Sequence, residues 1–294
     1  MKRTMAKPRV AIIGLGIMGG GMATRLLSQG FPLSVYNRRR EKAAKLEEGG
    51  AFVAASVREA AARAEIIISM VADDVASRHI WLGDEGALAG AAAGSLLLES
   101  STLSVDWVRE LAAAATEKKC EFLDAPVTGT KPHAATGELF FMVGGSTSGF
   151  ERAREVLAVL GREVVHLGPN GSGALLKLIN NFVCGVQAAS FAEAVNLIRV
   201  SGLDREKSLT VLSSSALASP LIKRIVAAMA ADDFTPNFPL KLMTKDVGYA
   251  AKEGTKYGLP LRTAAPALEV FKNAVEQGLG DQDFSAVVKS IATN

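Results

Sequence analysis

The sequence predicts an α/β N-terminal half built on a doubly wound parallel sheet, followed by a long interdomain helix and an all-α C-terminal domain. Three observations predict it. From Arg9 to about Gly168, short apolar runs alternate with helix-like segments, the order expected of strand–helix–strand units. From Ser172 to Val200 no proline or interior turn cluster interrupts a helical pattern that only Gly185 weakens. Past Asp204 the pattern stays helical, with no convincing strand.

In chain order, the expected strands cover 10–13, 33–36, 66–70, 96–99, 121–123, 140–143 and 164–166. Their shortness and fully apolar centres fit strands covered on both faces. The helix that follows would run for about 29 residues and roughly 43 Å, a length suited to a spine between two domains. Further helices are expected near 205–214, 219–230, 240–257, 262–278 and 283–292. The domain boundary falls at 169–173, giving an N-terminal domain over 1–169 and a helical substrate and oligomerisation domain over 170–294.

Composition bounds the function. A chain of 294 residues, 49% apolar and 21% charged, has material for two cores and too little charge for disorder. A net charge of +3, with no run of like charges beyond the Arg38, Arg39, Arg40 triplet, argues against nucleic acid as partner. Cys120 and Cys184 stand in no metal or redox spacing, and His79, His133 and His166 form no cluster, so no structural metal and a reducing compartment are expected. Apolar stretches such as 88–98 fall short of a membrane span, and the start MKRTMAKPR leads into a strand rather than a signal peptide. A soluble cytoplasmic protein without membrane partners is the expectation.

The segment VAIIGLGIMGGGMATRLLSQG sets Gly14, Gly16 and Gly19 in G-x-G-x-x-G spacing between a strand and a helix. Gly14 permits the tight turn, Gly16 lets the backbone approach a pyrophosphate, and Gly19 lets the helix pack on the strand, with Leu15, Ile17 and Met18 completing the loop. The free N–H groups of the helix start favour the anion. This is a Rossmann-type dinucleotide site. At the end of the second strand an acidic residue would accept the ribose 2′-hydroxyl of NAD; here Asn37, Arg38 and Arg39 stand instead. Guanidinium groups suit a 2′-phosphate, so the cofactor expected is NADP, bound as NADPH.

Four phrases, GLGIMGGGMA (14–23), DAPVTGTKPHAATGELFFMVGG (124–145), GSGALLKLINN (171–181) and FPLKLMTKDVGYA (238–250), together resemble the β-hydroxyacid dehydrogenase family. That family includes 3-hydroxyisobutyrate dehydrogenases and reductases of tartronate semialdehyde, glyoxylate and succinic semialdehyde. The resemblance spans nearly the whole chain.

Reducing an aldehyde with a nicotinamide requires a proton for the developing alkoxide and a hold on the substrate. Lys177 and Asn181 sit four apart in the expected long helix, hence on one face. The resemblance implies Lys177 as general acid in reduction and base in oxidation, with Asn181 as its hydrogen-bonding neighbour; for the lysine this requires burial and nearby cations to bring its pKa down. Thr128, Gly129 and Thr130 follow a strand end, where open α/β sheets bind ligands, and can cradle a carboxylate. Relatives often carry Ser at the first of these positions and a second glycine at the third. Thr128 and Thr130 therefore lean toward the glyoxylate and succinic semialdehyde branch. By the same resemblance Lys245 reaches cofactor or substrate, Asp246 orients it, Phe238 lines the substrate pocket, and Met70, Val71 and Thr102 contact the cofactor.

The reading is an NADPH-dependent reductase of short carboxylate-bearing aldehydes or keto acids, a homodimer or homotetramer. Its alternatives are a 3-hydroxyisobutyrate-type dehydrogenase working oxidatively and an imine reductase, a group that usually replaces the lysine. A non-enzymatic relative would have lost Lys177, and a 6-phosphogluconate dehydrogenase would carry a much longer helical domain.

Overall fold

The computed structural model describes residues 6–291. The chain divides into two compact units, one running to Lys177 and one from Leu178 onward.

The first unit holds a nine-stranded sheet: β1 (Val10–Ile13), β2 (Leu33–Tyr36), β3 (Phe52–Val53), β4 (Ile66–Ser69), β5 (Leu96–Glu99), β6 (Glu121–Asp124), β7 (Val127–Thr128), β8 (Leu139–Gly145) and β9 (Gly161–Gly168). The order is β3-β2-β1-β4-β5-β6-β8-β7, with β9 also on β8. Between them lie α1 (Ile17–Ser28), α2 (Ala44–Glu48), α3 (Val57–Ala62), α4 (Asp74–Trp81), α5 (Ala87–Gly90), α6 (Val105–Glu117), α7 (Lys131–Thr136) and α8 (Thr147–Leu160).

Strands β1 to β6 are parallel, and β1, β4 and β5 are buried at every residue, in keeping with their mostly aliphatic sequences, Ser69 and Glu99 closing β4 and β5. Strand β8 departs from the expected all-parallel sheet. It runs antiparallel to β6 and β7, pairing Leu123 with Gly145 and Val127 with Phe141. The link from β7 to β8 carries only the short α7, too little chain for a full helical crossover, so the strand returns in the opposite sense. Strands β3 and β7, two residues each, are too short for a periodicity to announce. Side chains of the strands, among them Ile12, Val35, Ile68 and Leu98, form one core with Met22 and Leu26 of α1 and Leu157 of α8.

Helix α9 (Ser172–Ser201) runs for 30 residues where the sequence predicts a single helix of about 29, and α10 (Arg205–Ser214), α11 (Pro220–Ala231), α12 (Leu240–Lys256) and α13 (Ala264–Ala274) follow. The last expected helix is a 3-10 helix, Phe284–Ile291, and a π turn over Val275–Leu279 ends the one before it. Among these, α9 is long and apolar enough to cross a membrane by length and composition, which corrects the expectation that no segment is. Yet Ala188, Ala192, Val195 and Ile198 of α9 pack into the second core with Ile225 of α11, Val247 of α12 and Phe271 of α13. Gly185 belongs to that packing: a Cβ there would stand 2.6 Å from Val247 Cγ2. What looked like a weak point of the helix is where α12 comes close.

Candidate active site

The first unit builds a dinucleotide cradle where the strand order reverses between β1 and β4, the place open α/β sheets bind ligands. Gly14 adopts φ +95°, and a Cβ there would lie 2.3 Å from the carbonyl oxygen of Met70. At Gly19 a Cβ would lie 2.0 Å from the Gly14 carbonyl oxygen, which is why α1 can rise directly off the turn. Gly16 differs: a Cβ there would meet no protein atom within 4 Å. Its exposed side is open at the start of α1, a helix with no side-chain cap and no acidic residue in its first turn. These residues fit a pyrophosphate, which the free N–H groups and the helix dipole favour.

Neighbouring loops are tied to this turn. Asn37 Oδ1 accepts the Leu15 N–H at 2.9 Å, while its Nδ2 donates to the Arg39 carbonyl at 2.8 Å. Past Asn37 the chain exposes three guanidinium groups. Arg40 pairs with Glu47 at 3.1 Å and Arg39 loosely with Glu41 at 3.9 Å, whereas Arg38 has no ion-pair partner among the described residues. Val71 donates its N–H to Ser101 Oγ at 2.8 Å, joining the loops after β4 and β5, so that Met70, Val71 and Thr102 belong to one rim.

Sequence reasoning missed what supports that rim. Glu99 is fully buried and accepts from Ser77 Oγ at 2.7 Å, Trp81 Nε1 at 2.8 Å and the Ser101 N–H at 2.9 Å. A lone carboxylate closing the run LLLE was the available signal.

Thr128, Gly129 and Thr130 form the turn after β7, with Gly129 at φ +146°. His133 is not in this loop. It stands in the first turn of α7, where its Nδ1 accepts the Thr130 N–H at 3.0 Å and lies 2.9 Å from Thr130 Oγ1. Helix α7 in turn rests on α1, since a Cβ on Gly21 would lie 2.8 Å from Ala134 Cβ. Of the remaining histidines, His166 reaches the Gly145 carbonyl at 2.8 Å and stacks on Phe150. At the end of the first unit comes Lys177, buried at 8% exposure on α9.

Asn181 follows one turn later on the same helix, about 6 Å along its axis, and belongs to the second unit, which begins at Leu178. Its Nδ2 donates to Asp246 Oδ2 at 2.6 Å, and Lys245 Nζ pairs with Asp246 Oδ1 at 2.8 Å. Asn180 Nδ2 donates to Asn181 Oδ1 at 2.9 Å, which leaves the Asn181 amide one orientation. Lys245 Nζ also lies 4.9 Å from the centre of the Tyr249 ring. Of this carboxylate, only 1% exposed, Oδ2 is held by the Asn181 donor, while Oδ1 has the Lys245 charge beside it and no hydrogen bond. Phe238 is not part of this cluster. It meets Phe284 edge-on at 5.7 Å and donates its N–H to Asp283 Oδ2 at 3.1 Å.

Fold and cradle together define an oxidoreductase that works with a nicotinamide dinucleotide. Residues 9–168 match the family described as the NAD binding domain of 6-phosphogluconate dehydrogenase, and residues 171–291 match the NAD-binding domain of NADP-dependent 3-hydroxyisobutyrate dehydrogenase. The chain belongs to the β-hydroxyacid dehydrogenase family, NAD(P)-dependent enzymes acting on CH–OH donors. It is 34% identical to glyoxylate/succinic semialdehyde reductase 1 of Arabidopsis thaliana, over 96% of this chain and 98% of the relative. To the NAD-dependent L-serine dehydrogenase of Pseudomonas aeruginosa it is 35% identical, over 96% and 97%. A solved 3-hydroxyisobutyrate dehydrogenase from Salmonella typhimurium superimposes with a TM-score of 0.89 at 32% identity, covering 96% of this chain and 99% of that one.

Proposed function

We propose that the protein is an NADPH-preferring reductase of short carboxylate-bearing aldehydes and keto acids, with glyoxylate, succinic semialdehyde and tartronate semialdehyde as candidate substrates. The observation that carries this reading is a buried lysine, Lys177, one helical turn from an amide that its neighbours hold in one orientation. A nicotinamide dinucleotide held by the Gly14–Gly19 turn would supply the hydride to the carbonyl carbon. Lys177 then gives a proton from Nζ to the alkoxide oxygen that forms, and Asn181 holds that oxygen by its amide. The hydroxyl and N–H groups of Thr128, Gly129 and Thr130 take the substrate carboxylate, Phe238 lines the pocket, and Lys245, oriented by Asp246, adds positive charge to cofactor or substrate. Met70, Val71 and Thr102 contact the cofactor. Preference for the 2′-phosphate rests on Arg38, exposed at the end of β2 in place of a carboxylate.

A dehydrogenase of the 3-hydroxyisobutyrate type, working in the oxidative direction, is the second reading, favoured by the likeness to the Salmonella typhimurium enzyme. A steady-state panel of C2 to C4 aldehydes and hydroxy acids, each with NADPH and NADH, separates the two. Turnover of 3-hydroxyisobutyrate above that of every aldehyde overturns the first reading.

A homodimer or homotetramer is part of the proposal. Along α9, Leu176, Ile179 and Val183, and further on Leu197 and Val200, are exposed at spacings of three and four, an apolar stripe suited to a second copy. A monomeric mass in light scattering at micromolar concentration counts against it.

A further inference from the structure

Asp124 takes no part in the chemistry just described, yet it is fully buried at the end of β6. Its Oδ1 accepts the N–H of Gly171 at 2.8 Å and its Oδ2 the N–H of Ala174 at 2.9 Å. The first turn of a helix leaves such N–H groups without partners, and they are normally satisfied by a side chain just before the helix. Here Gly171 precedes α9 and has no side chain to offer. The cap comes instead from a strand 50 residues earlier in the chain.

Nothing in this junction has slack. A Cβ on Gly144 would stand 2.6 Å from Asp124 Oδ1, and one on Gly173 would stand 2.2 Å from the Met142 carbonyl oxygen and 3.0 Å from Asp124 Oδ2. Asn170, in the turn before the helix, donates from Nδ2 to the Phe122 carbonyl at 3.0 Å and the Gly144 carbonyl at 3.4 Å. Burial pushes the Asp124 carboxyl above its ordinary pKa, and the Gly171 and Ala174 N–H groups pull the other way by stabilising the anion. Each oxygen receives an N–H donor, so both serve as acceptors.

Two functional segments leave from this carboxylate. Four residues after Asp124, the chain reaches Thr128 and the turn through Thr130; three residues after Ala174, α9 reaches Lys177, a rise of about 4.5 Å. We propose that Asp124 is a positioning residue for Lys177: by capping α9 from β6 it sets where the lysine stands relative to the Thr128–Gly129–Thr130 turn. The inference rests on the reading of Lys177 as the proton donor. Without the cap the first turn of α9 frays or shifts, and a displacement of about 1 Å between a proton donor and its acceptor costs on the order of a hundredfold in rate.

The test compares wild type, Asp124→Asn, Asn170→Ala and Lys177→Ala in reduction of glyoxylate and of succinic semialdehyde by NADPH. Rates are expressed per NADPH-binding site counted by fluorescence titration, so that loss of folded molecules does not register. Asn keeps the shape of Asp124 and offers one acceptor for two donors. Its kcat is expected to fall tenfold or more, with KM for NADPH within about twofold of wild type; Asn170→Ala, which loosens the same turn from the partly buried side, is expected to show a smaller loss with the same split. A folded Asp124→Asn enzyme with wild-type kcat overturns the proposal. Should that variant not fold, wild-type kcat in Asn170→Ala overturns it. Equal decline of kcat and of NADPH affinity in both variants also overturns it, because that marks a general loosening of the unit. Wild-type turnover in Lys177→Ala is a different failure, of the proton-donor reading itself.

Discussion

Asn181 donates its side-chain amide to the Asp246 carboxylate at 2.6 Å, although 65 residues separate the two in the chain. The bond fixes which atom Asn181 presents elsewhere: with Nδ2 committed to Asp246 and Oδ1 receiving Asn180 Nδ2, ring-like flips of the amide are excluded. Replacing Asn181 by Ala leaves a buried carboxylate one donor short, a loss of about 1–3 kcal/mol in stability. Urea denaturation checks it; an unchanged midpoint shows that Lys245 alone satisfies Asp246.

Lys177→Ala is expected to lower kcat/KM by about 10²- to 10⁴-fold, the range for removal of a positioned general acid, while NADPH affinity stays within a few-fold. Stopped-flow hydride transfer together with NADPH titration checks both halves.

Arg38→Ala is expected to raise KM for NADPH at least about tenfold and to leave KM for NADH nearly unchanged, since a charge-assisted contact to a phosphate is worth about 1.5–3 kcal/mol. Equal effects on both cofactors remove Arg38 from 2′-phosphate recognition.

Two glycines three residues apart separate folding from binding. Gly19→Ala drives a methyl into the Gly14 carbonyl and is expected to lower the thermal midpoint by several degrees. In Gly16→Ala the methyl meets no protein atom, so the midpoint holds while dinucleotide affinity falls. Calorimetry with and without NADPH reads both.

Glu121 gives a pH dependence. Burial pushes its carboxyl up, but donors on Ser146, Ser148 and Arg152 outweigh burial and hold it below the ordinary value of 4.5. The group therefore binds protons less readily folded than unfolded, and its stabilisation is full above about pH 4.5 and is lost as pH falls through the folded-state pKa. Thermal midpoints of wild type and Glu121→Gln are expected to differ at pH 7 and converge below pH 4.5. A constant gap contradicts the linkage.

What the sequence disclosed was local. Gly14, Gly16 and Gly19 lie within one turn, where spacing exposes them; Lys177 and Asn181 lie within one helix, where spacing puts them on one face and the family resemblance supplies their roles. Helix α7 was not among the expected elements: its six residues are too few to show a helical period. The sense of β8 was hidden for another reason: a buried strand is apolar whichever way it runs. Asp124, Asp246 and Glu99 do their work through partners brought near only by the fold, and no periodicity marks such pairs.

The seat of α7 on α1 at Gly21 and Ala134 joins the turn proposed to take the substrate carboxylate to the helix that opens at the glycine-rich cradle. Arg38 lies outside that seat, exposed in the bend that follows β2. On the proposed roles of Arg38 and of the Thr128–Gly129–Thr130 turn, exchanging one nicotinamide coenzyme for the other would be a local change past the end of β2, whereas widening the turn for bulkier acids would disturb the helix beneath it. If those roles hold, coenzyme choice is the more pliable of the two specificities.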